Sequence, residues 1–149
     1  QQMTHQCLCL SISHIKNMET FIQQEKKSAP IINSQMVFSV LKREGWNSSF
    51  FKEVLNKFYD TCEQDAEIEI KIAKLRNPSD KTTAHRANIK CDMKRLEMTI
   101  ELYKKGVTNI TKNLLLESLA DTLESAIQKE YTWDLAERIE TMIEKAKAL

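Results

Sequence analysis

The sequence is poor in the residues that most often interrupt regular structure, with only 2 glycines and 2 prolines in 149 residues. A β-sandwich or a dinucleotide-binding domain needs more glycine for its turns and phosphate loops. No apolar run approaches the roughly 18 residues of a membrane span. The short apolar stretch at residues 7–12 also lacks the basic cluster and small-residue cleavage site of a signal peptide. We therefore predict helices joined by short polar connections, without a membrane partner.

Motifs that carry chemistry are also missing. The sequence has no glycine-rich phosphate loop, no Ser-His-Asp signature and no His-Glu-x-x-His. His85 and Cys91 lie six residues apart, which is out of phase on a helix, so they do not predict a nucleophile and its base. Glu137, Glu140 and Glu144 share a helix face but lack the Glu-x-x-His of di-metal bundles. We predict a protein that is not an enzyme.

The cysteines are few and their spacing is uninformative about metals. The four are Cys7, Cys9, Cys62 and Cys91. Cys-x-Cys is not the Cys-x2-4-Cys spacing of common zinc sites, so we do not expect His5, Cys7, Cys9 and His14 to bind metal. We predict reduced, partly buried thiols in an intracellular protein, cytoplasmic or nuclear, with no cofactor. Two disulfide pairings of Cys7 and Cys9 with Cys62 and Cys91 stay open.

The clearest periodic signal lies in residues 85–107. Apolar or aromatic residues recur there in steps of three and four, at Ile89, Met93, Leu96, Ile100, Tyr103 and Val107. That spacing places them on one face of an α-helix. The opposite face is charged. We predict that this helix lies at the centre of the fold and packs against the helices on both sides of it.

Similar spacing predicts further helices over residues 13–27, 30–44, 47–59, 110–127 and 135–146. Residues 66–75 alternate as a strand would, but their Glu, Lys and Ala content favours a helix. Residues 1–13 are interpreted as an extended segment or a frayed helix start. The length suits one domain. We predict a single all-α domain over residues 1–149, with about six to seven helices packed as stacked antiparallel hairpins or an irregular bundle.

Local residue chemistry predicts where these helices begin and end. Asn47, Asn109 and Asp134 are suited to cap the helices that follow them. Gly45 follows the last turn of one helix, in a position that favours a left-handed backbone, and the long helix of residues 85–107 ends at Gly106. Pro30 is predicted to open the helix that ends before Gly45, because a missing N–H is tolerated in a first turn.

Charge is unevenly distributed although the formal net charge is only +1. An acidic run contains Asp60, Glu63, Asp65, Glu67 and Glu69. A basic run follows and contains Lys71, Lys74, Arg76, Lys81, Arg86, Lys90, Lys94 and Arg95, interrupted by Asp80 and Asp92. The low net charge argues against strong steering to nucleic acid. Such runs indicate either a solvated surface or a contact for a charged partner. We predict that Lys90, Lys94 and Arg95, with Arg86, form the contact.

Two places share a plan of an apolar helix, a short turn, a tryptophan and a second amphipathic helix, around Trp46 and Trp133. Residues 36–45 followed by 51–59 look like a pentatricopeptide hairpin, as do residues 103–108 followed by 114–127. Over less than half of its length the chain thus resembles tetratricopeptide and pentatricopeptide helical-repeat proteins. The resemblance implies a scaffold that binds protein or RNA.

Two functions fit these observations. The first is a non-catalytic, intracellular helical interaction domain, an adaptor or scaffold that binds a protein partner, with RNA as the other ligand of the same architecture. The second is a secreted, cytokine-like four-helix signalling protein. For that alternative, the triplets at Asn47 and Asn109 would be glycosylation acceptors and the cysteines would pair.

Overall fold

The computed structural model describes residues 32–149, and within them the chain forms five α-helices and no strand. The helices are α1 (Ser34–Glu44), α2 (Ser49–Arg76), α3 (Thr82–Lys104), α4 (Lys112–Ile127) and α5 (Trp133–Lys147). A short 3-10 turn, Glu130–Thr132, precedes α5. The predicted all-α class is confirmed over the described range. None of these helices is long and apolar enough to cross a membrane.

The predicted number of six to seven helices exceeds the five that residues 32–149 contain. The helices predicted over residues 47–59 and 66–75 form one uninterrupted 28-residue helix, α2. No glycine or proline separates them, and the acidic residues between them are compatible with helix. The helical interpretation of residues 66–75 is therefore confirmed. The helix predicted over residues 13–27 and the segment 1–13 lie outside the described residues.

Helix α3 lies between two hairpins, as its periodicity predicted. One face carries Ile89, Met93 and Leu96, which pack in a cluster with side chains of α4 and α5. A second face, outside the predicted apolar row, carries Met98 and Leu102 into a cluster with α1 and α2. The helix is therefore buried on two sides. This explains how two helical hairpins are joined into one packed unit.

The start of α1 differs from the prediction. Residues 32 and 33 are not helical, and α1 begins at Ser34 instead of Pro30. The Asn33 side chain accepts a hydrogen bond from the Met36 N–H at 3.0 Å, and so caps the first turn. The end of the helix agrees with the prediction, because Gly45 has φ +85° and its N–H donates to the Leu41 carbonyl.

Two other predicted caps are displaced by one or two residues. Ser48 caps α2 instead of Asn47, because its hydroxyl accepts from the N–H groups of Phe50 and Phe51. Thr111 caps α4 instead of Asn109, and its hydroxyl accepts from the Leu114 N–H at 3.2 Å. A cap must reach an amide two or three positions into the helix. Where several polar residues are adjacent, the turn geometry decides which one does so.

The third predicted cap, Asp134, lies inside α5 and is not the residue that precedes the helix. The helix begins at Trp133, and the residue before it, Thr132, makes no side-chain cap hydrogen bond. The fully buried Thr132 hydroxyl instead lies 2.6 Å from the Ala126 carbonyl, to which it donates. Trp133 is 52% exposed, whereas Trp46 packs against the apolar cluster of α1 and α2. The two tryptophan turns are therefore not structurally equivalent.

Candidate functional site

Three of the four predicted contact cations lie in the seam between α2 and α3. We define the α2–α3 seam by the pairs Lys90 with Glu69, Lys94 with Asp65 and Arg95 with Glu63. Lys90 Nζ donates to Glu69 Oε1 at 2.8 Å, and Lys94 Nζ lies 4.0 Å from Asp65 Oδ2. The residue numbers rise on one helix as they fall on the other, so α2 and α3 are antiparallel. The acidic run and the basic run therefore face each other.

Arg95 makes a second contact within this seam. Its guanidinium carbon lies 5.7 Å from the centroid of the Tyr59 ring, within the range of cation–π attraction. Burial raises the pKa of the Tyr59 hydroxyl. Arg95 is therefore held by both a carboxylate and an aromatic face of α2.

The fourth predicted cation, Arg86, lies apart from the seam. Its two terminal nitrogens donate to both carboxylate oxygens of Asp134, at 2.7 and 3.0 Å. One of them also donates to the Tyr131 carbonyl at 2.6 Å. The bond with Arg86 lowers the pKa of Asp134 and raises that of Arg86. Arg86 thus fastens the start of α3 to the start of α5.

All four predicted cations are therefore paired with carboxylates of the same chain. Their side chains remain partly exposed, with Lys94 the most open of them at 53%. Their role as a partner contact stays a prediction. Much of their charge is nevertheless compensated inside the molecule.

The two described cysteines lie on the inner side of the same helix pair. Cys62 and Cys91 are free, buried thiols that pack with Ala66 and Ala87. Burial is the main cause that raises the pKa of each thiol. His85 contacts the Tyr131 ring edge-on, with 5.8 Å between ring centroids, whereas Cys91 packs toward α2. The two side chains therefore contact different parts of the molecule.

A metal site is not found in the part of the chain that the structure describes. No group of three or more His, Cys, Asp or Glu side chains within residues 32–149 is placed to hold an ion. The residues considered from the sequence, His5, Cys7, Cys9 and His14, lie outside that range. The carboxylates of α2 instead neutralise the cations of α3.

An open apolar groove lies beside α1 and was not predicted from the sequence. Its volume is about 590 Å³, and we call it the α1 groove. It is lined by Gln35, Phe38, Ser39, Leu41, Lys42, Gly45, Trp46 and Lys105. The Trp46 side chain reaches it because the positive φ of Gly45 turns the chain sharply after α1.

The described residues that line the α1 groove carry charge of one sign. They include Lys42 and Lys105 and no carboxylate. The Lys105 ammonium lies 4.7 Å from the centroid of the Phe38 ring, a cation–π distance. A neighbouring depression of about 400 Å³ also touches Phe38 but is lined by Asp65, Glu97 and Glu101 together with Lys94. The two cavities therefore favour ligands of different charge.

Two of the residues that line the α1 groove belong to features that could be recognised in the sequence. Phe38 is one of the apolar residues of the helix predicted over residues 30–44, and Trp46 stands in the turn that follows it. Lys105 comes from the end of α3, and only the tertiary fold brings it over the Phe38 ring.

No protein-family model, curated protein or solved structure matches this chain.

Proposed function

We propose that this chain is a non-catalytic helical interaction domain that binds a protein partner through the α1 groove. The observation that carries the proposal is the groove itself, an apolar floor with an open side and two lysines at its rim. Grooves of this kind between or beside helices receive an apolar helix face of a partner. Partly exposed aromatic and leucine side chains gain free energy when a partner covers them.

The state of the nucleophilic side chains supports a binding role over a catalytic one. A thiol attacks as its thiolate, and the pKa values of Cys62 and Cys91 are raised by burial. Both thiols are also almost completely buried where α2 packs against α3. They behave as small core residues.

The seam cations are a second contact surface, as predicted from the sequence. Lys90 and Lys94 are the members that a partner reaches most easily, because their side chains are 36% and 53% exposed. A partner there must compete with Glu69 and Asp65 for the same ammonium groups. Among the residues that the structure describes, no carboxylate competes for the lysines of the α1 groove, which favours it as the main contact.

The proposal is tested by comparing partners captured by the full chain and by matched serine variants. Ser39 lies in the α1 groove and Ser125 lies on α4, and both are exposed in a helix. Ser39→Arg fills the groove without removing a core side chain, and Ser125→Arg adds the same group elsewhere. We expect Ser39→Arg to lose protein partners that the wild type and Ser125→Arg both retain.

A third variant, Lys90→Gln with Lys94→Gln, tests the seam in the same capture. Loss of partners in this variant alone would contradict the α1 groove as the contact and support the seam. Nuclease treatment and a salt series distinguish protein from RNA, since binding to phosphates weakens steeply with salt. An unchanged set of partners in all three variants would overturn both surfaces.

A further inference from the structure

We infer that the segment bound by the α1 groove is acidic and amphipathic, with apolar side chains at helical spacing and carboxylates beside them. The inference rests on the proposed function and adds the chemistry of the partner. It is drawn from two features of the groove, the apolar floor and the charge at its rim.

The apolar side chains of the α1 groove, which form its floor, favour the apolar face of a helical segment. Phe38, Leu41 and Trp46 are each only partly buried, although all three belong to the apolar cluster between α1 and α2. A cavity of about 590 Å³ has the size of a small-ligand or side-chain pocket. A helical segment that presents apolar side chains at i, i+3 and i+4 covers such a floor with one face.

The two lysines of the α1 groove favour a bound segment with negative charge. Lys42 belongs to α1 and Lys105 follows α3, and the Lys105 ammonium lies over the Phe38 ring of the floor. Within the described residues neither forms an ion pair with a carboxylate, unlike Lys90 and Lys94. An acidic partner therefore gains two ionic contacts without displacing a carboxylate of residues 32–149. A basic partner would place like charges together.

The size of the effect follows from the exposure of these lysines. Exposed ion pairs each strengthen binding by a small factor, so two of them predict a loss of about 3- to 20-fold when the carboxylates of the partner are neutralised. The contribution is also screened, so the difference between acidic and neutral ligands shrinks as salt is added. The affinity that remains at high salt is determined by the apolar contacts with the floor of the groove.

The test uses three designed peptides of about 20 residues that share one apolar helical stripe. Their flanking positions carry glutamate, glutamine or lysine. Binding to the full chain is followed by Trp46 fluorescence in a Trp133→Phe background, which leaves Trp46 as the single tryptophan. We expect the glutamate peptide to bind most tightly, the glutamine peptide about 3- to 20-fold more weakly and the lysine peptide most weakly.

Reversing the charge of the two groove lysines should reverse the preference among the three peptides. Lys42→Glu with Lys105→Glu should invert the order, so that the lysine peptide becomes the tightest ligand. The matched control is Lys129→Glu with Lys145→Glu, two exposed lysines that do not line the α1 groove, which should leave the order unchanged. Failure of the inversion, or equal affinity of all three peptides, would overturn the acidic partner while leaving the groove as a binding site.

Two further results separate this inference from the proposed function. If no peptide changes Trp46 fluorescence and Ser39→Arg also captures an unchanged set of partners, both fail. A photoreactive side chain at position 39 of the full chain identifies the occupant directly. A crosslink to the glutamate peptide supports the inference, and a crosslink to residues 1–31 of the same chain overturns it.

Discussion

Truncation of Leu102 to alanine tests whether α3 makes the two hairpins one cooperative unit. Leu102 is 0% exposed and belongs to the cluster that α3 forms with α1 and α2. Replacing a buried leucine by alanine costs about 2–5 kcal/mol, depending on how far the site can collapse. The cluster members Val37 and Phe51 are almost completely buried as well, so little can move into the space. We expect the upper part of the range, about 3–5 kcal/mol.

The two tryptophans allow each half to be observed separately. Trp46 packs in the cluster that contains Leu102, and Trp133 begins α5 in the other half. Urea unfolding is followed in a Trp133→Phe background and in a Trp46→Phe background, with and without Leu102→Ala in each. With a slope near 2 kcal/mol per molar urea, the midpoint should fall by about 1.5–2.5 M in both backgrounds.

The outcome that would refute this coupling is a shift confined to Trp46. The Trp133 transition would then keep its midpoint, and the two hairpins would unfold independently although α3 is shared. The matched control is Leu114→Ala on α4, because this leucine is 56% exposed. Its removal should change the free energy of unfolding by less than about 0.5 kcal/mol in either background.

Three further predictions concern single contacts. Asp134→Asn should reduce the acid sensitivity of the fold. The hydrogen bond with Arg86 lowers the pKa of Asp134, so the stabilisation by this carboxylate is complete above the unfolded pKa of about 3.9 and is lost as pH falls below it. Unfolding measured from about pH 5 to about pH 2 should therefore show a larger loss of stability in the wild type. Thr132→Val should cost about 1–3 kcal/mol in urea unfolding, because a buried carbonyl at the end of α4 loses its donor. Thr122→Val should cost less, since its hydroxyl only adds to a carbonyl within its own helix. Ala66→Leu should cost about 1–3 kcal/mol by overpacking the buried α2–α3 contact, while Gln64→Leu on the exposed side should shift the thermal midpoint little.

The sequence carried enough information for the helices and for the central position of α3. The row from Ile89 through Met93 and Leu96 is a pure apolar stripe, and it packs as the period predicts. Packing on both sides was predicted, but the residues of the second face were not, because Met98 and Leu102 share that side of the helix with Arg95. A helix contacted from two sides has no single apolar stripe, so a one-face interpretation assigns half of its core to solvent.

Contacts between distant parts of the chain account for the rest. Arg86 and Asp134 are 48 residues apart, and nothing local indicates that the predicted helix cap would instead bind an arginine. The α1 groove has the same origin, since Lys105 reaches Phe38 only after α3 has packed on α1. Propensity and period describe single elements, whereas these sites depend on which elements become neighbours.

The energetics of the α2–α3 seam determine how cleanly its variants can be interpreted. Partly exposed ion pairs contribute about 0–1 kcal/mol each, because solvent screens them and ordering their long side chains costs entropy. The ion pairs of Lys90 with Glu69 and of Lys94 with Asp65 are of this kind, since the two carboxylate side chains are 44% and 27% exposed. Replacing both lysines by glutamine therefore leaves no fully buried, unpaired carboxylate. The variant should fold with at most about 2 kcal/mol of lost stability, so any partner it fails to bind reports on the surface itself and not on unfolding.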